Sequence, residues 1–291
     1  MTQLSIYDEI TNNVISSLEK GIAPWVKPWN SDSIADTNIT SGKAYRGVNT
    51  LILGMSGMSQ GFNSNLWGSF KQWQEKGATV RKGEKGTRIV FYTPVTKEKT
   101  NQAGDIELEK YACLKTYYVF NANQCDNVEL PATDTPDIKP FFSIDACEQF
   151  LENTKAIIKH GGNSAFYHRT DDFIGLPNKT DFLTNEHYYA TAFHELTHWT
   201  GSKSRLDREK GKLFGDTKYA FEELVAELGA TFLCNDFHFT GELKHVEYIG
   251  SWLKALKDDN KAIFKASALA QKAVDYAKSL QVVTEPVLLV A

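Results

Sequence analysis

The chain has 291 residues, 42% of them hydrophobic and 23% charged, with a formal net charge of −4. That length is long for one core and predicts two domains, and no apolar run approaches the ~18–20 residues that span a bilayer, which excludes a membrane-spanning protein. The cysteines Cys113, Cys125, Cys147 and Cys234 form no Cys-x-x-Cys pair, which excludes a disulfide scaffold and predicts core thiols in a reducing, cytoplasmic setting.

In chain order, Met1 to Asn13 is polar, lacks the apolar core of a signal peptide and predicts an amphipathic helix from Ser5. Charge is then segregated. Between Thr40 and Lys97 the basic residues are Lys43, Arg46, Lys71, Lys76, Arg81, Lys82, Lys85, Arg88 and Lys97, against only Glu75 and Glu84. Rings are interleaved with them: Tyr45, Phe62, Trp67, Phe70, Trp73, Phe91 and Tyr92, preceded by Trp25 and Trp29. Cations that follow phosphates beside rings on which bases stack make a single-strand nucleic-acid surface. Composition leaves open the plainer reading, in which the rings are core and the lysines serve solubility. Two local features favour the first. Arg81-Lys82-Gly83-Glu84-Lys85-Gly86 is a glycine-punctuated basic turn able to present N–H groups and cations to a phosphate, and Tyr45-Arg46-Gly47-Val48-Asn49 sets an Arg and an Asn beside a flexible Gly. The expected DNA contacts are Arg46, Asn49, Trp67, Lys71, Trp73, Arg81, Lys82 and Lys85.

The stretch from Asp126 to Pro140 carries Pro131, Pro136 and Pro140 among Asp, Thr and Asn with little periodicity, which predicts a linker over residues 128–140. Beyond it, Ala165-Phe166-Tyr167 and Asp172–Pro177 read as short strands, either one an edge for an extended peptide.

A helix follows, from a Thr184 cap to Gly201, with Tyr189, Ala192, Phe193, Leu196 and Trp199 at helical spacing. It carries His194-Glu195-Leu196-Thr197-His198. Residues i and i+4 share a helix face, so both imidazoles can meet one cation while Glu195 leans over its open position as general base. A hydrolytic site needs a third ligand, and the next helix supplies candidates. From Asp216 or Thr217, its apolar stripe is Phe221, Leu224, Val225, Leu228 and Phe232; Tyr219, Glu223 and Glu227 stack on the other side among Ala220, Ala226, Gly229 and Ala230. Small residues in place of Lys, Arg or Gln mark a second buried face. Glu223 is read as the third ligand and Glu227 as acceptor for a ligand His N–H, although spacing alone permits the exchange. Glu222 points off this face, towards solvent. Tyr219 is either a donor to a developing oxyanion or a packing residue. His168, His187, His238 and His245 take ordinary surface or core roles. Gly241 to Leu280 reads as two helices, broken near Asp258 and Asp259, that cover the preceding pair.

The chain resembles ArdC-type antirestriction proteins in ordered motifs over most of its length: Tyr45 to Asn49, Phe70-Lys71-Gln72-Trp73, Val80 to Gly86, Val119-Phe120-Asn121, His194 to Gly201 and Glu222 to Gly229. The step Glu223-Leu224-Val225-Ala226-Glu227 is also similar to the third-ligand pattern of several zincin families. The resemblance implies an α+β chain: a basic single-stranded-DNA-binding domain over residues 1–127, then a zincin-like metallopeptidase domain over 141–291. It implies His194, His198 and Glu223 on zinc, or another divalent transition metal such as Mn2+, with Glu195 as base. It further implies a protein of plasmids and other mobile elements that shields incoming DNA from restriction, with single-stranded DNA as its partner, duplex DNA as the alternative, and a protein substrate. Two rival classes follow: a DNA-coating protein with an idle metal site, and a DNA-dependent protease acting on DNA-bound proteins. Retention of Glu195 argues against a purely structural metal, which needs no base.

Overall fold

The computed structural model describes residues 5–20, 23, 35–62, 64–100, 106–128, 144–208, 217–239 and 248–281. Trp25, Trp29, His245 and nearly all of the expected linker lie outside them. The fold is α+β, in two compact units: residues 36–133, and residues 1–35 together with 134–291.

The expected boundary places everything from Met1 to Asn127 in one domain; in the structure residues 1–35 group with residues 134–291. Helix α1 (Ile6–Glu19) is capped by Ser5 and buries Ile6, Ile10, Val14 and Leu18 on one stripe. The stripe packs within the larger unit. Thr11 donates to the Asn260 carbonyl at 2.7 Å, Tyr7 meets Phe264 edge to face at 4.7 Å, and Lys257 pairs with Glu19 at 2.7 Å. An amphipathic helix settles where an apolar face awaits it, and chain order does not dictate which domain offers one.

The 36–133 unit contains β1 (Thr37–Asn38), α2 (Val48–Gln60), β2 (Leu66–Gly68), α3 (Phe70–Glu75), β3 (Thr79–Val80), β4 (Thr87–Thr100), β5 (Ile106–Asn121) and β6 (Cys125–Asp126). The main sheet runs β1-β2-β5-β4, and β3 pairs with β6. Gly68 is required by close approach: a Cβ there would lie 2.6 Å from Ile39 Cγ2 and 3.2 Å from the Trp73 indole. Ser69 then caps α3 in a reciprocal capping box with Gln72.

The larger unit adds α4 (Ile144–Thr154), β7 (Ile157–His160), β8 (Phe166–His168), β9 (Phe173–Leu176), α5 (Asn185–Thr200), α6 (Thr217–Asp236), α7 (Ile249–Asp258) and α8 (Ala262–Ser279). Both expected strands form, together with β7, in the order β7-β9-β8, so β9 is central and β8 is an edge. The break between α7 and α8 falls at residues 259–261. α8 packs on α5 and α6, and the Trp252 indole of α7 donates to the Ala220 carbonyl at 3.1 Å.

Candidate metal centre

Thr184 caps α5 by accepting from the His187 N–H. Gly201 closes the helix with φ −81°, not the left-handed turn its position suggested. From Ala192 through Thr200 every residue is buried, His194, Glu195 and His198 included. α6 crosses at close range, and Gly229 permits it: a Cβ there would lie 2.5 Å from Thr197 Oγ1 and 2.6 Å from its methyl. The small residues of the second buried face are thus the contact that brings the glutamates of α6 to the histidines of α5.

Three side chains converge. His194 Nε2 and His198 Nε2 lie 3.2 Å apart, and Glu223 Oε2 and Oε1 lie 3.4 Å from each in turn. A tetrahedral cation at about 2.0–2.1 Å from each donor holds its ligand atoms roughly 3.3–3.4 Å apart, close to the spacing of the two imidazole nitrogens, and one ligand atom from each of the three residues lies within 4.8 Å of the others. Among the described residues these form the one group of His, Cys, Asp or Glu able to share an ion. The donor set of two imidazoles and a carboxylate suits zinc or manganese and leaves a position open.

Each imidazole turns its other nitrogen to a carboxylate: His194 Nδ1 lies 3.6 Å from Glu227 and His198 Nδ1 3.2 Å from Glu222. A proton held at Nδ1 leaves the Nε2 lone pair for a cation. Glu222 corrects the expectation of a solvated side chain. It is buried and held by Arg208, whose Nη2 and Nε lie 2.8 and 3.2 Å from its two oxygens. Arg208 also donates to Thr200 Oγ1 at 2.7 Å and to the Thr197 carbonyl. Sequence reasoning missed Arg208, which arrives from the loop after α5.

Burial opposes charge on His194, yet the Glu223 and Glu227 carboxylates outweigh it and raise its pKa to about 10. His198 is likewise raised against its burial, by Glu222 and Glu223. Against the same burial, His198 and Arg208 hold Glu222 at about 2, and the two histidines hold Glu223 well below the usual carboxylate range. The cluster is a negative well closed around two imidazoles, which attracts positive charge. Glu195, also buried, accepts no hydrogen bond from the described residues. Half-buried Tyr219 lies 3.5 Å, oxygen to oxygen, from Tyr248 and close enough to Glu223 for that carboxylate to raise its pKa, although burial contributes more.

The geometry sets a test of the ligands. His194→Ala and Glu223→Ala are expected to lose stoichiometric metal by elemental analysis, Glu195→Gln to keep it, and Glu227→Ala to weaken binding about 10–100-fold. Loss in Glu227→Ala with retention in Glu223→Ala would exchange the two glutamates.

Several expected DNA contacts are placed differently from their prediction. Trp67 and Trp73 are 1% exposed; their indoles donate to Asp36 Oδ1 at 2.8 Å and to the Phe120 carbonyl at 2.9 Å. Stacking needs an open ring face, so both are core. The Asn49 amide spans the Val90 N–H and carbonyl at 2.9 and 2.8 Å, covering the β4 edge. Arg81 binds Glu84 at 2.9 Å, Asp126 at 3.6 Å and the Asn123 carbonyl, which ties the basic turn to β6. Arg46, Lys71, Lys82 and Lys85 are exposed.

Comparison with known proteins agrees with both halves of this picture. Residues 4–120 match the profile of the N-terminal domain of anti-restriction factor ArdC, and residues 145–269 that of a zincin-like metallopeptidase. An uncharacterized protein, y4eC, of Sinorhizobium fredii (strain NBRC 101917 / NGR234) is 35% identical over 289 residues, covering 96% of this chain and 94% of its own. The DNA primase TraC of Escherichia coli is 37% identical over 292 residues, 93% of this chain but only 27% of the primase. Two crystal structures of the antirestriction ArdC protein from R388 plasmid superpose with a TM-score of 0.79 each. The metal-free form is 38% identical, covering 96% of this chain and 98% of that one; the Mn(II)-bound form is 36% identical, covering 97% and 100%. By full-length similarity in sequence and in fold, the chain belongs to the ArdC antirestriction family.

Proposed function

We propose that this protein protects incoming DNA from restriction by binding it as a single strand through residues 36–133, and that its larger unit hydrolyses peptide bonds at a divalent-metal site. The observation that carries the second half is the group of His194, His198 and Glu223, with the buried carboxylate of Glu195, which accepts no hydrogen bond from the described residues, next to His194 in the chain. A bound divalent cation supplies Lewis acidity towards a peptide carbonyl and a water. The chain's own residues do the rest. Glu222 and Glu227 orient the two imidazoles, Glu195 takes the proton from water and returns it to the leaving amine, and Tyr219 offers its hydroxyl to the oxyanion. We propose zinc as the cation, with manganese, the metal in the Mn(II)-bound structure of the R388 relative, as the alternative.

The basic excess of the smaller unit supports the first half. The setting we propose is the cytoplasm, and no described helix is long and apolar enough to cross a membrane. The test uses the full chain. Expressed in the donor or carried by the plasmid, it is expected to raise the recovery of unmodified plasmid in a restricting recipient and to leave recovery in a non-restricting recipient unchanged. Purified, it is expected to bind single-stranded oligonucleotides more tightly than duplex, with affinity falling as salt rises. Equal recovery in both recipients, or affinity indifferent to salt, defeats the reading.

A further inference from the structure

With Trp67 and Trp73 in the core, the rings that a base could reach lie elsewhere. β4 and β5 pair with Arg88 opposite Tyr118, Val90 opposite Thr116 and Tyr92 opposite Leu114. Directly opposed residues of an antiparallel ribbon share a face, as do residues two apart on one strand. On this face Tyr118 is 56% and Tyr92 46% exposed. The ring path continues beyond the ribbon. Phe120 follows Tyr118 at the two-residue step and meets Phe70, itself 55% exposed, edge to face at 6.4 Å. Gly86 lies between them: a Cβ there would be 3.0 Å from the Phe120 ring and 3.2 Å from Tyr118 Cβ, so only glycine lets those side chains lie against the strand.

Exposed cations border this row of rings. Arg88 faces Tyr118 across the ribbon, Lys71, within 3.7 Å of Glu75, follows exposed Phe70 in the chain, and exposed Lys85 precedes Gly86 in the basic turn. Between Thr79 and Thr93, and between Leu114 and Asn121, the single acid is Glu84, already bonded to Arg81 and Gln124. We propose that this face is the track for single-stranded DNA, with bases stacked on Phe70, Tyr118 and Tyr92 and phosphates met by Lys71, Lys85 and Arg88. The proposal rests on the single-strand reading above and gives it an address. Bases of a duplex are already stacked on one another, so a path of rings selects the unpaired strand.

The opposite face also carries exposed rings, Phe91 and Tyr117, beside Lys115. It is closed at the end nearest the turn. Thr87 bonds Ser56 of α2 at 2.6 Å, and Ile89 and Val119 on that face are buried, whereas on the first face the buried position is Val90, between Arg88 and Tyr92. The two faces therefore serve as test and control.

The experiment measures anisotropy of a dye-labelled oligothymidylate with the full-length protein over a range of salt. Tyr118→Ala and Tyr92→Ala are each expected to weaken binding roughly five- to hundred-fold with the salt slope unchanged, because a ring carries no charge. Tyr118→Phe keeps the ring and should bind as the wild type does. Lys71→Gln with Lys85→Gln should flatten the slope by about 1.4. Phe91→Ala with Tyr117→Ala should bind normally, and thermal midpoints should match the wild type, since all these side chains are exposed. Unchanged affinity in both tyrosine variants, or a loss confined to the Phe91 and Tyr117 variant, overturns the track while leaving single-strand binding intact. A wild-type protein that fails to bind the oligonucleotide overturns the underlying reading and the track with it.

Discussion

Arg208→Ala is expected to destabilise the metal-bearing unit by about 3–5 kcal/mol, because it strands the Glu222 carboxylate in a buried site. That is a large share of the roughly 5–15 kcal/mol that holds a typical domain folded. Arg208 and Glu222 are both 3% exposed at the side chain, so water cannot replace the lost partner. Glu222→Gln should be nearly as costly, for it leaves the guanidinium uncompensated. Replacing both, as Arg208→Met with Glu222→Leu, should cost less than either single change, since neither member of the pair is then left as an uncompensated buried charge. Denaturant unfolding of the four proteins decides the matter. A loss below about 1 kcal/mol in Arg208→Ala would mean that the loop relaxes and admits water. The pH dependence has a definite sign: with Glu222 depressed from 4.5 to about 2, its contribution is complete above about pH 4.5 and is lost as pH falls towards 2. A second readout separates positioning from simple stability. Glu222→Gln should weaken metal binding by about 10–100-fold even under conditions where the protein remains folded, because His198 then faces a neutral amide in place of the carboxylate that raises its basicity.

The helices of the candidate site were legible in sequence because local rules govern them. The i, i+4 spacing of His194 and His198, the Thr184 cap, and alanines where an exposed helix carries charge are short-range signals that need no knowledge of the fold. Glu222 was misread for the same reason. Helical periodicity set it off the face of Glu223, and only a loop returning after α5 brings Arg208 to hold it against His198. The tryptophans show a different limit. Composition counts rings and cations without asking which rings are open, and an indole with a carboxylate acceptor such as Asp36 is content in a core. A usable signal did exist in the doublets Phe91-Tyr92 and Tyr117-Tyr118. On a strand, adjacent residues face opposite ways, so such a doublet in a thin ribbon must show a ring on each face. The place of α1 was illegible because a two-domain chain offers two cores, and periodicity does not say which one a helix joins.

Glu195→Gln is expected to lower peptide hydrolysis by about 10²–10⁴-fold, the usual worth of a positioned general base, while metal content and single-strand affinity stay at wild-type values. Because Glu195 accepts no hydrogen bond from the described residues, the amide should be accommodated without refolding its surroundings. This variant therefore separates proteolysis from DNA coating, which no ligand mutant can do once metal loss disturbs the fold. Casein or self-cleavage assays, each with and without single-stranded DNA, would measure the loss and show whether DNA stimulates the wild type. Recovery of unmodified plasmid in a restricting recipient would then assign the protection. We expect Glu195→Gln to protect nearly as well as wild type and the Tyr118 and Tyr92 variants to protect poorly, because a strand held along rings and cations is itself occluded from an endonuclease. Protection lost in Glu195→Gln, with normal folding and normal DNA binding, would reverse that order and make cleavage of a protein on the incoming DNA the primary act.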